Sequence, residues 1–341
     1  MRTVMRWALL VLCTGACGTD PEALQGAEDV QEAQEDGSPL DVTEAPDGVP
    51  GREGCAPGDR KSPAPEVVDA YPQCTVDQLV LVECGAKINA LDLGTSGDPG
   101  EGMDVDGDVT TCAPEGNCSG GIDNQLSTLA LLVQGGIDEA IVQGTLILVI
   151  EYEGMPEAAG TTTLNMYAAR IAPDDEECDW LQEACRYRIR PDAVDDACVP
   201  LVQFADATVS ENGEVSSGGT ATDNMVLTLP VFGVLLKLPV RYARLEGEIE
   251  RNGKGEAIRI HGMIGGAIPS ADLFSAIASV PADEFASVGL SRNFILGAVE
   301  NLVVDDVDTD GDGQPDAASI AAHFDTLGAK LVGWEIPDSG E

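Results

Sequence analysis

The sequence predicts a mainly β protein, an antiparallel β-sandwich with two or three accessory α-helices. Residues 234–242 alternate between apolar and mixed positions, which is the pattern of a strand with one buried face. The pairs Asn212-Gly213 and Asn252-Gly253 lie between β-prone segments, and both residue types tolerate the positive φ of a tight hairpin turn. The sequence shows no repeat of fixed period, which disfavours a solenoid or a propeller.

The first strand and the first helix are predicted in the middle of the chain. Residues 146–150 form a short apolar run that Tyr152 continues, as in a buried strand. Residues 174–190 carry acidic side chains early and arginines late, which suits the dipole of a helix. On such a helix Cys178 and Cys185 would be about 10 Å apart, too far to form a disulfide with each other.

The C-terminal third of the chain adds a return strand and two short helices. The strand that returns from the second hairpin is marked by Ile258, Ile260 and Ile264. Ser270 is placed to cap a helix that runs to Val280, and Ser291 is placed to cap another. The predicted inner face of this last helix consists of Phe294, Ile295, Ala298, Val299 and Leu302.

Charge and composition exclude several classes of partner. The chain has 341 residues and a formal net charge of −42, from 60 acidic and 18 basic side chains. Such a polyanion repels nucleic acid and anionic lipid headgroups, so we expect no nucleic-acid partner. A hydrophobic content of 43% is too high for a fully disordered chain.

The N-terminus has the features of an export signal. Two arginines precede an apolar stretch at residues 7–12, and small residues at 14–16 lead to Cys17. The end of this segment resembles a bacterial lipobox, which implies a signal peptide at residues 1–16 and a diacylated Cys17. Gly18 follows in place of the Asp that retains lipoproteins at the inner membrane, so the resemblance implies an outer-membrane location. The alternative is an ordinary secretory signal, cut near residue 16 without lipid.

Residues 17–54 are predicted to form an acidic, disordered tether between the lipid and a globular body. Residues 18–54 hold eleven acidic residues, a single arginine and no aromatic residue. Such a segment cannot bury enough apolar surface to offset its ordering entropy. The body is therefore expected to span residues 55–341.

The body contains an even number of cysteines, which in an exported protein predicts disulfides. They are Cys55, Cys74, Cys84, Cys112, Cys118, Cys178, Cys185 and Cys198. Cys112 and Cys118 are close enough in sequence to form one local bridge, whereas the other pairings stay open. Zinc is the competing interpretation, but the chain has no C-x-x-C motif.

The strongest chemical motif is an Asp-rich loop over residues 308–316. Its predicted ligands for Ca²⁺ are Asp308, Asp310, Asp312, the backbone carbonyl of Gln314, and Asp316. The loop resembles the calcium loops of thrombospondin type 3 repeats and, more loosely, the EF-hand loop. The position of the closing Glu is occupied by Ser319, so Asp305, Asp306 or a distant residue would have to replace that ligand. An unoccupied acidic turn is the alternative.

A second oxygen-rich constellation precedes the middle of the chain. Its candidate ligands are Asp104, Asp106, Asp108, Asp123 and Asn124. A bridge between Cys112 and Cys118 would fold its two halves toward each other. The step G-I-D-N resembles part of the D-G-x-D-N metal-binding motif of secreted myxobacterial proteins, and the whole arrangement resembles outer-membrane lipoproteins of that bacterial group. An ordinary Asp/Gly turn is the alternative here.

Two functional classes remain open. The sequence has no G-x-S-x-G, H-E-x-x-H or Walker-type motif, and His261 and His323 both fall on the predicted outer faces of strands. These features favour a calcium-binding surface or periplasm-facing lipoprotein with a structural or binding role, whose partner would be a protein or a glycan. The alternative is a calcium-dependent secreted hydrolase that acts on glycans, because any pair among the many carboxylates could serve as acid and base.

Overall fold

The computed structural model describes residues 60–94, 101–114, 121–231, 234–287 and 291–337. The predicted signal peptide, Cys17 and the tether lie outside these residues. The strands are β1 (Arg60–Lys61), β2 (Leu81–Val82), β3 (Cys84–Asp92), β4 (Leu148–Glu153), β5 (Gly160–Ile171), β6 (Arg186–Ile189), β7 (Val202–Val209), β8 (Glu214–Gly218), β9 (Asn224–Val231), β10 (Val234–Arg251), β11 (Ala257–Pro269) and β12 (Ala317–Trp334). The helices are α1 (Pro65–Ala70), α2 (Ala130–Val142), α3 (Ser270–Ser279), α4 (Ala282–Ser287) and α5 (Arg292–Leu302).

Eight of these strands close into an antiparallel barrel. Their order is β3, β4, β5, β7, β8, β10, β11 and β12, and β12 pairs with β3 to complete the ring. The predicted sandwich is therefore wrong, although the protein is mainly β. Alternation along a strand shows which of its faces is buried, but not which strands become neighbours, so the sequence pattern did not reveal the closure.

The remaining strands extend or cover the barrel. The first half of β10 pairs with β9, outside the closed ring of strands. The second half of β10 pairs with β11 and is one of the eight strands of that ring. Strand β6 runs parallel to β12 and antiparallel to β5. Strands β1 and β2 form a separate two-stranded sheet.

The barrel interior forms the main hydrophobic core. Along β4, Leu148, Ile150 and Tyr152 belong to this interior cluster, whereas Val149, together with Ile147 just before the strand, belongs to a second cluster on the outer face. All eight barrel strands contribute to the interior cluster, and α2, α3 and α5 add apolar side chains to it. The outer cluster joins β4 and β5 to α1, β2 and β6, so this side of the barrel carries an extra layer.

Several local predictions are confirmed. The turn between β7 and β8 contains Asn212-Gly213, with Gly213 at a φ of +89°. The turn between β10 and β11 contains Asn252-Gly253 as predicted, but its residue with positive φ is Gly255, at +81°. Ser291 caps α5, because its side chain accepts a hydrogen bond from the Phe294 amide at 3.2 Å. The predicted inner face of α5 is only partly right, since Phe294 is 56% exposed while Ile295 is fully buried.

The helix predicted over residues 174–190 is wrong. That segment consists of turns that lead into β6, and Cys178 and Cys185 form a disulfide with their Cα atoms 5.9 Å apart. Two aspartates compete with helical hydrogen bonding: Asp175 accepts from the Arg186 amide at 2.7 Å, and Asp179 accepts from the Leu181 amide at 3.1 Å.

The other disulfides agree with the prediction of an oxidised protein. Cys74 bonds Cys198 across 124 residues of sequence. Cys84 and Cys112 each take part in a disulfide as well. The specific pair Cys112–Cys118 stays a prediction, because Cys118 lies outside the described residues.

Helix α2 was not predicted from the sequence. Its buried residues Val133, Ile137 and Ile141 follow helical spacing, but Gly135 and Gly136 lower the helix propensity between them. In the described part of the chain, helices are too short or too polar to cross a membrane.

Candidate metal centre

Two groups of aspartates lie near the start of β12. One comes from the segment around residues 104–106 together with Asp123, and the other from the loop over residues 308–316. The first group is tied to β12 through Asn124 and Gln125: the Asn124 side chain accepts from the Ala321 amide at 3.1 Å, and the Gln125 amide donates to Ser319 Oγ at 2.8 Å. Two loops that are distant in sequence therefore meet at the same end of the barrel.

The first group contains a buried carboxylate. Asp104, Asp106 and Asp123 each offer an oxygen, and these oxygens lie within 4.8 Å of one another. Asp123 is only 2% exposed. Among the described residues, the hydrogen bonds to its carboxyl come from the amides of Val105 (3.0 Å) and Asp106 (3.4 Å), and both end on Oδ2. Oδ1 accepts none from this part of the chain, so it is available to a ligand.

Asp306 adds a further carboxylate to the electrostatics of this group. Burial raises the pKa of Asp123 to about 7, the Val105 hydrogen bond opposes this, and the charges of Asp106 and Asp306 raise it further. Burial likewise raises the pKa of Asp306 to about 6, with a contribution from Asp106. Asp306 is fixed by Ser319, whose amide donates to it at 2.7 Å and whose hydroxyl donates at 2.5 Å. The carboxylates therefore repel one another across a partly desolvated space.

The loop over residues 308–316 repeats the turn hydrogen bonds of the first group, in which the Gly107 amide donates to Asp104 and the Asp108 amide donates to Asp106, but it has no buried member like Asp123. Asp308, Asp310 and Asp312 also bring oxygens within 4.8 Å of one another, but they lie closer to solvent. Asp308 accepts from the amides of Gly311 and Gly313, both at 2.7 Å, and these bonds lower its pKa. Both glycines have a positive φ, of +78° and +86°, which turns their amides inward. The loop already stabilises its charged form with its own backbone.

Two other residues of this predicted site have described partners. Asp316 accepts from the amide of Thr309 at 2.7 Å and from its hydroxyl at 2.9 Å. The side chain of Gln314 donates to the Gly313 carbonyl at 2.8 Å, whereas the predicted ligand is its own carbonyl. The ligand roles of Asp316 and Gln314 stay predictions.

Asp108 and Asn124, also predicted as ligands, likewise have described partners. Asp108 accepts from the amide and hydroxyl of Thr110, at 2.9 and 2.6 Å. Asn124 is 3% exposed, and its Nδ2 donates to the carbonyls of Leu93 (2.8 Å) and Glu101 (2.7 Å). Because its Oδ1 binds the start of β12 as well, Asn124 joins three segments beneath the carboxylates.

Two arginines of β10 reach the acidic loops, and the sequence analysis did not identify them. Arg241 Nη1 donates to Thr309 Oγ1 at 3.1 Å, and Arg244 Nη1 donates to the Asp104 carbonyl at 3.0 Å. The register with β11 shifts between them, and Tyr242 has a φ of +52°. Residues three apart normally point to opposite faces of a strand, so the bulge accounts for how both arginines reach the same end.

A third group could be mistaken for a metal site. Asp175, Cys178 and Cys185 lie close together, but the two cysteines form a disulfide with each other and so offer no thiolate.

No family model, curated protein or solved structure matches this chain. The aspartate groups could hold a metal ion, and their geometry is the basis on which a function can be argued.

Neither histidine belongs to these groups of converging side chains. His261 is half-exposed on β11, with Nε2 at 3.9 Å from Glu248 on the neighbouring strand. His323 lies on β12 between interior residues Ala322 and Phe324, so its side chain points to the outer face. These positions agree with the outward orientation predicted for both.

Proposed function

We propose that this protein is a calcium-binding lipoprotein of the cell envelope, in which the cation has a structural or binding role. The observation that carries the proposal is the group of Asp104, Asp106 and Asp123, where three carboxylate oxygens converge around one almost fully buried side chain. Like charges in such a place destabilise the fold unless they are protonated or neutralised by a cation. A bound cation would hold two distant loops against the start of β12.

Calcium fits the donor set better than a softer metal does. The candidate ligands of both groups are carboxylate oxygens, which are the hard donors that Ca²⁺ and Mg²⁺ prefer. Ca²⁺ accepts about six to eight oxygens in a flexible geometry, whereas Mg²⁺ requires a near-ideal octahedron. Ligands from separate loops, completed by backbone carbonyls or water, are more compatible with calcium.

The proposed location rests on the N-terminal sequence. A diacylated Cys17 would anchor the protein in the outer membrane, and the acidic tether would place the barrel at a distance from the lipid surface. A protein or a glycan is the proposed binding partner. Mass spectrometry of the mature protein is expected to find an acylated Cys17, and Cys17→Ser is expected to move the protein out of the membrane fraction. An unmodified N-terminus on protein that is free in the medium would contradict the anchor.

A glycan hydrolase is the second candidate, and one observation favours it. Asp123 and Asp306 both have a raised pKa, as a general acid requires. Asp123, however, is 2% exposed, so a sugar oxygen has little access to it. A cation would also lower both pKa values and leave no proton to donate near neutral pH. Turnover of a polysaccharide panel that is lost in Asp306→Asn, with folding intact, would favour the hydrolase.

The cation proposal is tested by calorimetric titration of the full chain after removal of divalent ions. Ca²⁺ should bind to the wild type, and Asp123→Asn should remove binding at the buried group. Asp138→Asn is the control, because Asp138 is an exposed aspartate on α2 that belongs to neither group of converging oxygens. Absence of Ca²⁺ binding to the wild type, or equal losses in the two variants, would contradict the proposal.

A further inference from the structure

The fold brings both histidines of the chain to one patch of the outer barrel wall. The sequence contains two histidines, and they lie on neighbouring strands, His261 on β11 and His323 on β12. The antiparallel register pairs Met263 directly with His323. His261 and Met263 are two residues apart on β11, so their side chains project from the same face of that strand. Two imidazoles and one thioether therefore occupy adjacent positions.

The residues on either side show that these three side chains point away from the core. On β11, Ile260 and Ile264 belong to the interior cluster, so the odd-numbered positions between them face outward. On β12, Ala322 and Phe324 are interior residues in the same way, and His323 between them faces outward. The three outward side chains are half-buried, so a small ion can reach them from solvent.

The spacing of the three positions suits a single metal ion. Directly paired residues of an antiparallel sheet have Cβ atoms about 4.5–5.5 Å apart, and diagonal neighbours are about 7–8 Å apart. Met263 and His323 are directly paired, whereas His261 is diagonal to His323. An imidazole nitrogen binds a metal such as zinc at about 2.0–2.1 Å. Side chains of this length can therefore reach one ion from all three positions.

His261 shows a separate sign that a ligand is missing. Its Nδ1 atom is shielded from solvent and has no hydrogen-bond partner among the described residues. Its Nε2 atom lies 3.9 Å from a carboxylate oxygen of Glu248, which is too far for a hydrogen bond. A buried polar atom without a partner calls for an unseen water or ion. The lone pair of this imidazole is therefore available to a metal.

Carboxylates around the patch attract cations and supply a possible fourth donor. Glu248 and Asp92 lie directly opposite the two histidines, on β10 and β3 respectively. The nearest guanidinium, that of Arg259, donates to both carboxylate oxygens of Asp325. Asp325 therefore neutralises this arginine and does not take part as a ligand.

We propose that His261, Met263 and His323 form a copper site that binds Cu(I) through two imidazole nitrogens and the thioether sulfur. Thioether ligands select Cu(I), and imidazole is also a good copper ligand. Zn²⁺ is bound by thiolate, imidazole and carboxylate groups, so a thioether contributes little to its affinity. Ca²⁺ requires hard oxygen donors, and this site shares no residue with the aspartate groups. The proposal is therefore independent of calcium binding.

The test titrates the full chain with Cu(I) under argon, in competition with a chromogenic Cu(I) chelator and after alkylation of free thiols. One Cu(I) per chain is expected. His261→Asn, His323→Asn and Met263→Leu should each weaken binding by at least about tenfold, because the loss of a residue that merely orients a ligand already costs about 10–100-fold. Glu214→Gln is the matched control and should leave the affinity unchanged, because Glu214 pairs with Glu248 one strand further from the histidines.

X-ray absorption gives a second readout, in which the sulfur neighbour of copper should disappear in Met263→Leu. This substitution keeps the size of the side chain, so it is expected to preserve the fold. Absence of Cu(I) binding to the wild type, or equal affinities in the wild type and the three variants, would overturn the site. Tighter binding of Zn²⁺ than of Cu(I), unchanged in Met263→Leu, would overturn the assignment to copper. Calcium titration of the same variants should match the wild type, so that it tests the proposed function separately.

Discussion

Asp123 and Glu151 are both almost completely buried, at 2% and 3% exposure, but they have different neighbours. Glu151 lies under the outer layer of the barrel and accepts from the Val82 amide (2.5 Å), Asn165 Nδ2 (2.9 Å) and the Tyr167 hydroxyl (3.1 Å), so donors reach both of its oxygens. Asp123 accepts on one oxygen and faces other carboxylates. The comparison teaches that burial alone does not mark a candidate cation site: a buried carboxylate with neutral donors is structural, whereas one among carboxylates has to be protonated or neutralised by a cation.

The largest expected effect is the loss of stability when Glu151, the structural carboxylate, is replaced. Glu151→Ala should destabilise the protein by about 3 kcal/mol or more, because it leaves three buried donors without an acceptor. Chemical denaturation measures the loss, which should be the same with calcium and with a chelator. Glu153→Ala is the control, because that side chain is 41% exposed and should cost far less. A loss from Glu151→Ala that depends on calcium would remove the distinction between the two residues.

The next largest effect is the stabilisation of the protein by calcium at the group of Asp104, Asp106 and Asp123. At a Ca²⁺ concentration about 100 times Kd, the free energy of unfolding should rise by roughly 2.7 kcal/mol. Asp123→Asn should remove most of this gain, whereas Glu151→Gln should keep it. Thermal unfolding with and without calcium gives the comparison, and a gain that survives in Asp123→Asn would place the dominant site elsewhere.

In the presence of a chelator, replacing an aspartate by asparagine should change the stability of the protein in opposite directions at Asp123 and at Asp308. Asp123→Asn should stabilise the cation-free protein at pH 8, on the order of 1 kcal/mol, because it removes a charge that burial disfavours. Asp308→Asn should destabilise it, because the ionised Asp308 accepts two backbone hydrogen bonds. Urea denaturation at constant pH measures both, and equal signs would contradict the contrast between the two groups.

The last prediction concerns a lysine in the outer layer, whose contribution to stability changes with pH only above neutral pH. Lys87 is 1% exposed and donates to Asn89 Oδ1 and to the Trp180 carbonyl, both at 3.1 Å, and burial lowers its pKa to about 8. The unfolded chain then binds more protons than the folded one between about pH 8 and 10.5. Stability should therefore rise with pH over this range in the wild type relative to Lys87→Met. Parallel pH profiles of the two proteins would show that Lys87 is not desolvated.

Local chemistry explains which sequence predictions succeeded. The Asn-Gly pairs lie in hairpin turns, and Ser291 caps α5, because each depends on a few neighbouring residues. The helix over residues 174–190 failed because Asp175 and Asp179 bind backbone amides in turns. The sandwich failed because the pairing of β12 with β3 joins residues more than 200 positions apart.

The candidate site divides in the same way. Spacing predicted the loop of Asp308, Asp310 and Asp312 and the pair of Asp104 and Asp106, since acids at every second residue of a loop converge on one point. Asp123 was added by the resemblance of the G-I-D-N step to a metal-binding motif. Asp306 was considered only as a closing ligand for the loop over residues 308–316, whereas the fold places it beside Asp123. Asn124 is a predicted ligand because the G-I-D-N step resembles a metal-binding motif, whereas its described hydrogen bonds go to Leu93, Glu101 and Ala321.

The sequence by itself determined the acidic charge, the mainly β character, the hairpin turns and the aspartate-rich loops, because composition and short-range spacing govern each of these. Only the tertiary structure decided that the sheet closes into a barrel and that Val105 packs against the buried cluster that contains Val307. It also decided that Asp123 is buried among carboxylates while Glu151 is buried among donors. Burial and the sign of the neighbouring charges depend on contacts between distant segments, and these contacts distinguish a structural carboxylate from one that a cation would neutralise.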